Sequence, residues 1–422
     1  MIDSMRLQQF KNFRDATLPL GPLTVIVGTN ASGKSNLRDA FRFVHGMSLD
    51  YTLADIVGDK YVEGAIQWRG VRGGPREIAF GRRETFTLET TIPGIARSST
   101  LPRMYRHSLT VEVGNGVRPL RVVRESLYRS NRLVFDSHPQ KDAPAQDETH
   151  YLMVRLRKMG GQRRRGSTVR FIADQPIISQ MSSHARVPKE LREYCKRALS
   201  QMRSMRFLDL SPELMKLPSI PGQPLGDRGE NLSSVLQAIV EDEGKKHAVT
   251  EWIRQLTPLD VMDFEFTPDA TGRILLTLVE RNGQRTSAYS ASDGTLRFLA
   301  MIAALMGPDA ASFYFLEEID NGIHPTRLAL LLQLIEQHTH GGKVQIATTT
   351  HSPQLLGMLS KHARNNAVLV YRLEDETEGR VRRIVEIPAT RRVLARENWS
   401  RLHESGWLEN VVAFAEHAET DG

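Results

Sequence analysis

Apolar positions along this chain follow two periods. Leu23–Val27 (LTVIV) is a short β-branched run, the pattern of a strand buried on both faces. Soon after it, Leu37, Ala40, Phe41 and Val44 recur at i, i+3, i+4 and i+7. That spacing predicts a helix with one buried face, and Gly46 is a candidate stop. Ahead of the run, Met5–Leu7, Phe10–Arg14 and the apolar residues from Leu18 predict a first strand and its return. Downstream, Gly70–Gly74 predicts a loop and Glu77–Phe80 a short strand, while Thr85–Ile92 alternates at period two, as a half-buried strand does.

Ser108–Val113 and Leu120–Arg124 predict further strands, and the polar stretch Asp136–Glu148 predicts a loop. Leu191–Phe207 and Asn231–Val240 predict helices on either side of the proline-rich Leu217–Leu225. Val261–Phe266 and Arg273–Val279 predict a strand pair, with Asn282-Gly283 as a hairpin turn. Leu296, Leu299, Ala300, Ala303 and Ala304 then share one helix face, and Ser292 is suited to cap that helix. Phe313–Leu316 and Val344–Thr350 are two more buried runs. Val368–Leu373 and Val381–Ile387 predict a hairpin around the acidic Glu374–Glu378, and Glu397–His417 one or two helices. No heptad pattern persists over several turns, which excludes a long coiled coil.

Composition narrows the class. A chain of 422 residues holds two or three structural units. Its single cysteine, Cys195, excludes a disulfide framework and a cysteine zinc site, and reads as a packed thiol in a reducing compartment. No apolar run approaches the ~18 residues of a membrane span, and the N-terminus lacks a signal-peptide core. These features predict a cytoplasmic protein with no membrane partner. The net charge of +7 is compatible with nucleic-acid contact without requiring it.

The chemistry concentrates in a few stretches. Gly28, Thr29, Asn30, Ala31, Ser32, Gly33, Lys34 and Ser35 fit G-x-x-x-x-G-K-[ST] at every fixed position, between a predicted strand and a predicted helix. Glycines let successive backbone N–H groups turn toward phosphate oxygens, and the helix N-terminus adds positive potential. Lys34 is placed to reach the β- and γ-phosphates, and the Ser35 hydroxyl to ligate Mg²⁺. The plain alternative is a glycine-rich turn with a solvated lysine.

Glu317 and Glu318 end the apolar run Phe313–Leu316, and His351 ends Val344–Thr350. Such strand ends meet ligands at one edge of an α/β sheet. One carboxylate can hold Mg²⁺ through water, the other can polarise an attacking water, and the histidine can contact both water and γ-phosphate. Without the P-loop, these residues would read as a strand that ends in acids and as a structural histidine. Arg14 or Lys11 lies near the nucleotide or is a solvated edge-strand charge. Gln67 reads as a surface amide rather than a Mg²⁺-sensing glutamine. Arg163, Arg164 and Arg165, between glycines, form the most basic segment. They are candidates for sequence-independent contact with DNA or RNA, against a solvated turn or an acidic partner.

Taken together, FKNFRDATLPLGPLTVIVGTNASGKSNL, SASDGTLRFLAMIAAL, FYFLEEIDNGIHP and ATTTHSPQLL resemble, in that order, the ABC-type ATPase heads of the SMC, RecF and OLD proteins. They are most similar to stand-alone bacterial AAA family ATPases without a long coiled coil or a TOPRIM domain. The resemblance covers residues 1–95 and 245–390, and 96–244 only loosely. It implies an α/β P-loop NTPase of the ABC/SMC head type, with an antiparallel β lobe and an inserted mixed α+β region. The corresponding division is residues 1–95 as the N-terminal part of the head, 96–244 as an inserted region with the basic loop, and 245–422 as the C-terminal part of the head.

The resemblance also implies roles. Gly28–Ser35 and Asn36 would cradle ATP, Glu317 would be the Walker B acid acting on Mg²⁺ through water, and Glu318 the catalytic base. His351 would be the switch histidine, and Ser292 and Gly294 would reach the γ-phosphate held by a second copy, with Asp320 and Asn321 between the sites. Ala291 and Asp293 depart from the transporter-type signature, and Glu317 replaces its aspartate; a transporter motor is disfavoured. Two readings remain: an ATPase that dimerises head-to-tail and controls an effector such as a nuclease, in phage defence or DNA repair and with double-stranded DNA as a further partner, or an ATP-dependent scaffold that holds or inhibits a toxin-like partner with little turnover.

Overall fold

The computed structural model describes residues 1–93, 104–114, 119–137, 150–156, 167–221, 225–308, 310–373 and 376–387. A six-stranded sheet carries the chemistry. Its order is Met205–Leu208, Phe313–Leu316, Gln345–Thr350, Leu23–Val27, Val368–Arg372 and Gly379–Arg383. All neighbours run parallel except the last pair, an antiparallel hairpin. Parallel order puts the C-terminal ends of Leu23–Val27, Phe313–Leu316 and Gln345–Thr350 on one edge, so the P-loop, Glu317, Glu318 and His351 emerge together.

The strands alternate between two cores. Val25, Val27, Tyr314, Leu316 and Ile346 face one side, and Ile26, Phe313, Phe315 and Ala347 face the other. Both faces are dry, which is why LTVIV shows no polar alternation. The first side is covered by the helices Leu232–Val240, Glu243–Leu256, Asp293–Met306 and Pro325–His340, and by the three-stranded sheet Val261–Pro268, Ile274–Glu280, Arg285–Ser287.

On the other side the helix Lys34–Ser48 lies between the six-stranded sheet and an eight-stranded antiparallel sheet. Phe41 stacks on Phe313 with ring centroids 4.9 Å apart, while Phe43 meets Phe86 of the larger sheet edge-on at 5.5 Å. The P-loop helix is thereby clamped from both sides. The larger sheet runs Thr168–Ile172, Tyr151–Leu156, Arg132–Asp136, Arg121–Arg129, Met104–Glu112, Thr85–Pro93, Ser4–Phe10, Phe13–Pro19. This is the α/β P-loop architecture with an antiparallel lobe that the sequence implies. Both sheets draw strands from either side of residue 95 or residue 244.

Three local expectations are corrected. Glu77–Phe80 is not a strand: Pro75 sits in the first turn of a short helix, Gly74–Glu77, and Phe80–Arg82 is a 3-10 turn. Only Ala79 bridges to Phe10. The helix expected over Leu191–Phe207 ends at Arg203, because Met205, Phe207 and Leu208 are buried in the strand beside Phe313–Leu316. Gly46 does not stop its helix, which continues to Ser48; a Cβ at Gly46 would come within 2.9 Å of Ile56 and 3.1 Å of Trp68. The hairpin at Asn282-Gly283 forms as expected, with Gly283 at φ +83°.

Candidate nucleotide-binding site

The loop between Val27 and Lys34 depends on its glycines. A Cβ on Gly28 would lie 2.3 Å from the Val370 carbonyl oxygen, and Gly33 adopts φ +118°, where a side chain is strained. A Cβ at Gly33 would also come within 2.7 Å of the Asn12 amide. Asn12, at the turn between the first two strands, donates to the Ser32 carbonyl at 2.9 Å and accepts from Asn36 Nδ2 at 2.8 Å. It ties the loop to the helix that follows.

Lys34 opens that helix. Its Nζ donates to the carbonyls of Gly28 at 2.6 Å and Thr29 at 2.9 Å, and lies 3.2 Å from His351 Nδ1. Burial lowers its pKa to about 8, against the opposing pull of Glu318 and Asp320.

The two glutamates have different surroundings. Glu317 Oε2 is 3.1 Å from Arg38 Nη1, one turn along the P-loop helix, while Glu317 Oε1 is buried without a hydrogen-bond partner among the described residues. Burial raises the Glu317 pKa, and Arg38 opposes the rise. Glu318 is half exposed and sits at φ +48°, in the left-handed region. Its N–H donates to Thr349 Oγ1 at 3.0 Å, and its Oε2 accepts from Asn321 Nδ2 at 3.1 Å. Its Oε1 lies 3.5 Å from His351 Nε2. Lys34, His351 and Glu318 therefore form a continuous chain of polar contacts across the sheet edge.

These groups line a cavity of about 320 Å³, walled by residues 29–36, Arg72, Glu317, Glu318, Thr349 and His351. Its residues fit a phosphate chain and Mg²⁺. The loop offers backbone N–H groups, while the Ser35 hydroxyl and the unpaired Glu317 oxygen are the hard donors that Mg²⁺ takes.

Ser292 and Gly294 do not line this cavity. Ser292 caps the helix Asp293–Met306, its Oγ accepting from Thr295 N at 3.2 Å. A Cβ at Gly294 would lie 3.1 Å from the Gly322 carbonyl, so the start of that helix abuts the segment that follows Glu318.

Arg163, Arg164 and Arg165 lie outside the described residues, as do residues 138–149, 374–375 and 388–422. Lys11 sits beside Asp39 of the P-loop helix at 3.8 Å, and Arg14 beside Glu378 at 3.4 Å; neither lines the cavity. Gln67 is exposed on a two-stranded hairpin away from the cavity. Cys195 is buried, and burial pushes its thiol pKa up, as a packed thiol requires.

Sequence reasoning missed Asn12, Arg38 and Arg72. Arg72, held to Asp39 at 3.2 Å, emerges from the Gly70–Gly74 loop. Arg38 was visible only as a charged position one turn beyond Lys34.

Residues 23–357 match the family described as "AAA domain, putative AbiEii toxin, Type IV TA system". The chain is 20% identical over 372 residues to the "ATP/GTP phosphatase" of Helicobacter pylori (strain ATCC 700392 / 26695), covering 86% of this chain and 89% of that protein. Among solved structures it is similar to an SMC head bound to the C-winged helix domain of ScpA (14% identity, TM-score 0.45, covering 90% of this chain and 96% of that one). It is also similar to the SMC head domain from Thermotoga maritima (12% identity, TM-score 0.40, covering 90% and 98%).

Proposed function

The chain belongs to this AAA domain family of P-loop ATPases, and on that premise we propose that it hydrolyses ATP as a head-to-tail pair whose closure controls a separate effector protein. The observation that carries the reading is Glu318, held by Thr349 and Asn321 with its second oxygen beside His351, above the P-loop. A protein that only holds a partner has no use for a carboxylate in this position.

Each residue has a task. The backbone of Gly28–Ser35, with Asn36 at its end, binds the phosphates, and Lys34 turns from the loop carbonyls toward the terminal phosphate. Ser35 would hold Mg²⁺ directly and Glu317 through water, and the ion would offset phosphate charge when bound. Glu318 accepts the proton of the attacking water. His351 stands between Lys34 and Glu318 and reports the state of one to the other. Ser292 and Gly294 reach the γ-phosphate on the second copy, which makes closure depend on ATP and reopening on hydrolysis. The ATP/GTP phosphatase relative supports turnover. The family description, which names a toxin of a Type IV toxin–antitoxin system, supports work with a partner. A cytoplasmic setting agrees with the finding that no described helix is long and apolar enough to cross a membrane. Phage defence or DNA repair, an effector such as a nuclease, and double-stranded DNA contact through Arg163–Arg165 complete the proposal.

The test is phosphate release by the purified chain and by Glu318→Gln, with and without double-stranded DNA, at low and moderate salt. Turnover that disappears in the variant while an ATP-bound dimer accumulates supports the proposal. Turnover unchanged in the variant refutes the role of Glu318. No turnover in the purified chain, with Glu318→Gln changing little, favours the scaffold reading, and indifference to DNA at both salts removes the nucleic-acid part.

A further inference from the structure

Asp293 places a carboxylate in the first turn of the helix Asp293–Met306, next to Ser292 and Gly294. For an isolated helix this is favourable. For a helix start that must receive the phosphate of another molecule it is not, because two anions would meet there.

The structure pairs that carboxylate. Lys216 Nζ lies 3.2 Å from Asp293 Oδ1 and 3.0 Å from Glu213 Oε1. Glu213 is 80% and Asp293 60% exposed, so solvent screens both carboxylates in the single chain, whereas the Lys216 side chain is 21% exposed and lies against the helix start, where a second copy would exclude that solvent. Its backbone is fastened on both sides. Met215 is fully buried. Ser219 exchanges two backbone hydrogen bonds of 2.9 Å with Ile274, and Ser219 Oγ accepts from Ser234 N at 3.0 Å. Lys216 is therefore presented to Asp293 by a segment anchored in the core.

We propose that Lys216 is a positioning residue for the trans γ-phosphate contact: it neutralises Asp293 so that the Ser292–Gly294 helix start can take the nucleotide of a second copy. The inference rests on the proposed ATP-dependent pairing. It adds a residue to that site from a segment, 209–231, with no recognisable nucleotide motif. It also gives the aspartate of this stretch a partner in the same chain, since Lys216 lies against its carboxylate.

The experiment uses the full chain carrying Glu318→Gln, with ATP and Mg²⁺, and follows the monomer–dimer equilibrium by sedimentation velocity. Adding Lys216→Ala should weaken the ATP-bound dimer by about tenfold, because pairing would take the exposed Asp293 carboxylate out of solvent, beside a phosphate, without its cation. ATP binding to the monomer should not change. Lys216→Arg, or Asp293→Asn added to Lys216→Ala, should restore the dimer. A dimer as tight with Lys216→Ala as without it overturns the inference and leaves the pairing intact. A weakened dimer that Asp293→Asn fails to restore also overturns it, since Lys216 would then serve the fold rather than the charge. A Glu318→Gln parent that stays monomeric with ATP overturns the pairing and this inference together.

Discussion

Asn12 donates to the Ser32 carbonyl at 2.9 Å while accepting from Asn36 at 2.8 Å, so the turn between the first two strands holds the P-loop from outside. The same residue receives the Gly379 N–H on its backbone carbonyl at 2.7 Å, which joins the larger sheet, the loop and the edge hairpin at one point. Replacing Asn12 by alanine removes both side-chain bonds and leaves two half-buried groups unpaired, at about 1–3 kcal/mol. Much of that penalty falls on the loop, so ATP affinity should drop by roughly tenfold. Titration with a fluorescent ATP analogue checks this; unchanged affinity would show that the glycines alone hold the loop.

Lys34 carries a pH signature. Its pKa is lowered to about 8 by burial, while a bound phosphate chain stabilises the ammonium and moves the value back up. Nucleotide binding should therefore take up a proton near pH 8.5, and affinity should fall as pH rises through about 8. Calorimetry at pH 8.5 in two buffers of different ionisation enthalpy reads the proton directly. Identical heats would mean that Lys34 is fully charged before ATP arrives.

Much of this site is legible in the sequence because strand and loop occupy consecutive residues. LTVIV, the P-loop, FYFLEE and ATTTH each announce a buried strand and what lies at its end. The residues that brace the site are not legible in this way. Asn12 acts across 20 residues, Arg38 pairs with a glutamate 279 positions away, and Lys11 and Arg72 converge on Asp39 from two different loops. No local period encodes such pairs. Met205–Leu208 was missed for a related reason: four residues directly after a helix read as its last turn, until pairing with Phe313–Leu316 shows them extended.

Glu125 tests a different part of the fold. Fully buried in the larger sheet, it accepts from Ile177 N at 2.5 Å and Ile178 N at 2.9 Å and pairs with His107 Nε2 at 2.8 Å. It fixes the start of the helix Ile177–Ser183 to the sheet. Glu125→Ala strands two N–H groups and a histidine in a dry interior and should cost about 3–5 kcal/mol. Glu125→Gln keeps an acceptor and should cost roughly half as much. Denaturant unfolding measures both. Turnover per folded molecule should hold, because Glu125 does not line the cavity.

Arg38→Met examines the proposed metal end of the site. In the wild-type chain Arg38 lies 3.1 Å from one Glu317 oxygen and opposes the rise in pKa that burial gives the carboxylate, while the other oxygen has no hydrogen-bond partner among the described residues and is the one proposed to serve Mg²⁺. Without the guanidinium, burial acts alone and the proton becomes a stronger competitor for Glu317. A carboxylate with a raised pKa protonates earlier as pH falls, so the Mg²⁺ concentration needed for half-maximal turnover should rise in the variant. The rise should be larger at pH 6 than at pH 8. Methionine fills similar space, so packing along the helix is retained. Mg²⁺ titrations at the two pH values decide the matter. An equal requirement in variant and wild type at both would show that Arg38 packs against Glu317 without tuning it, and a pH-independent increase would point to lost geometry instead of lost charge.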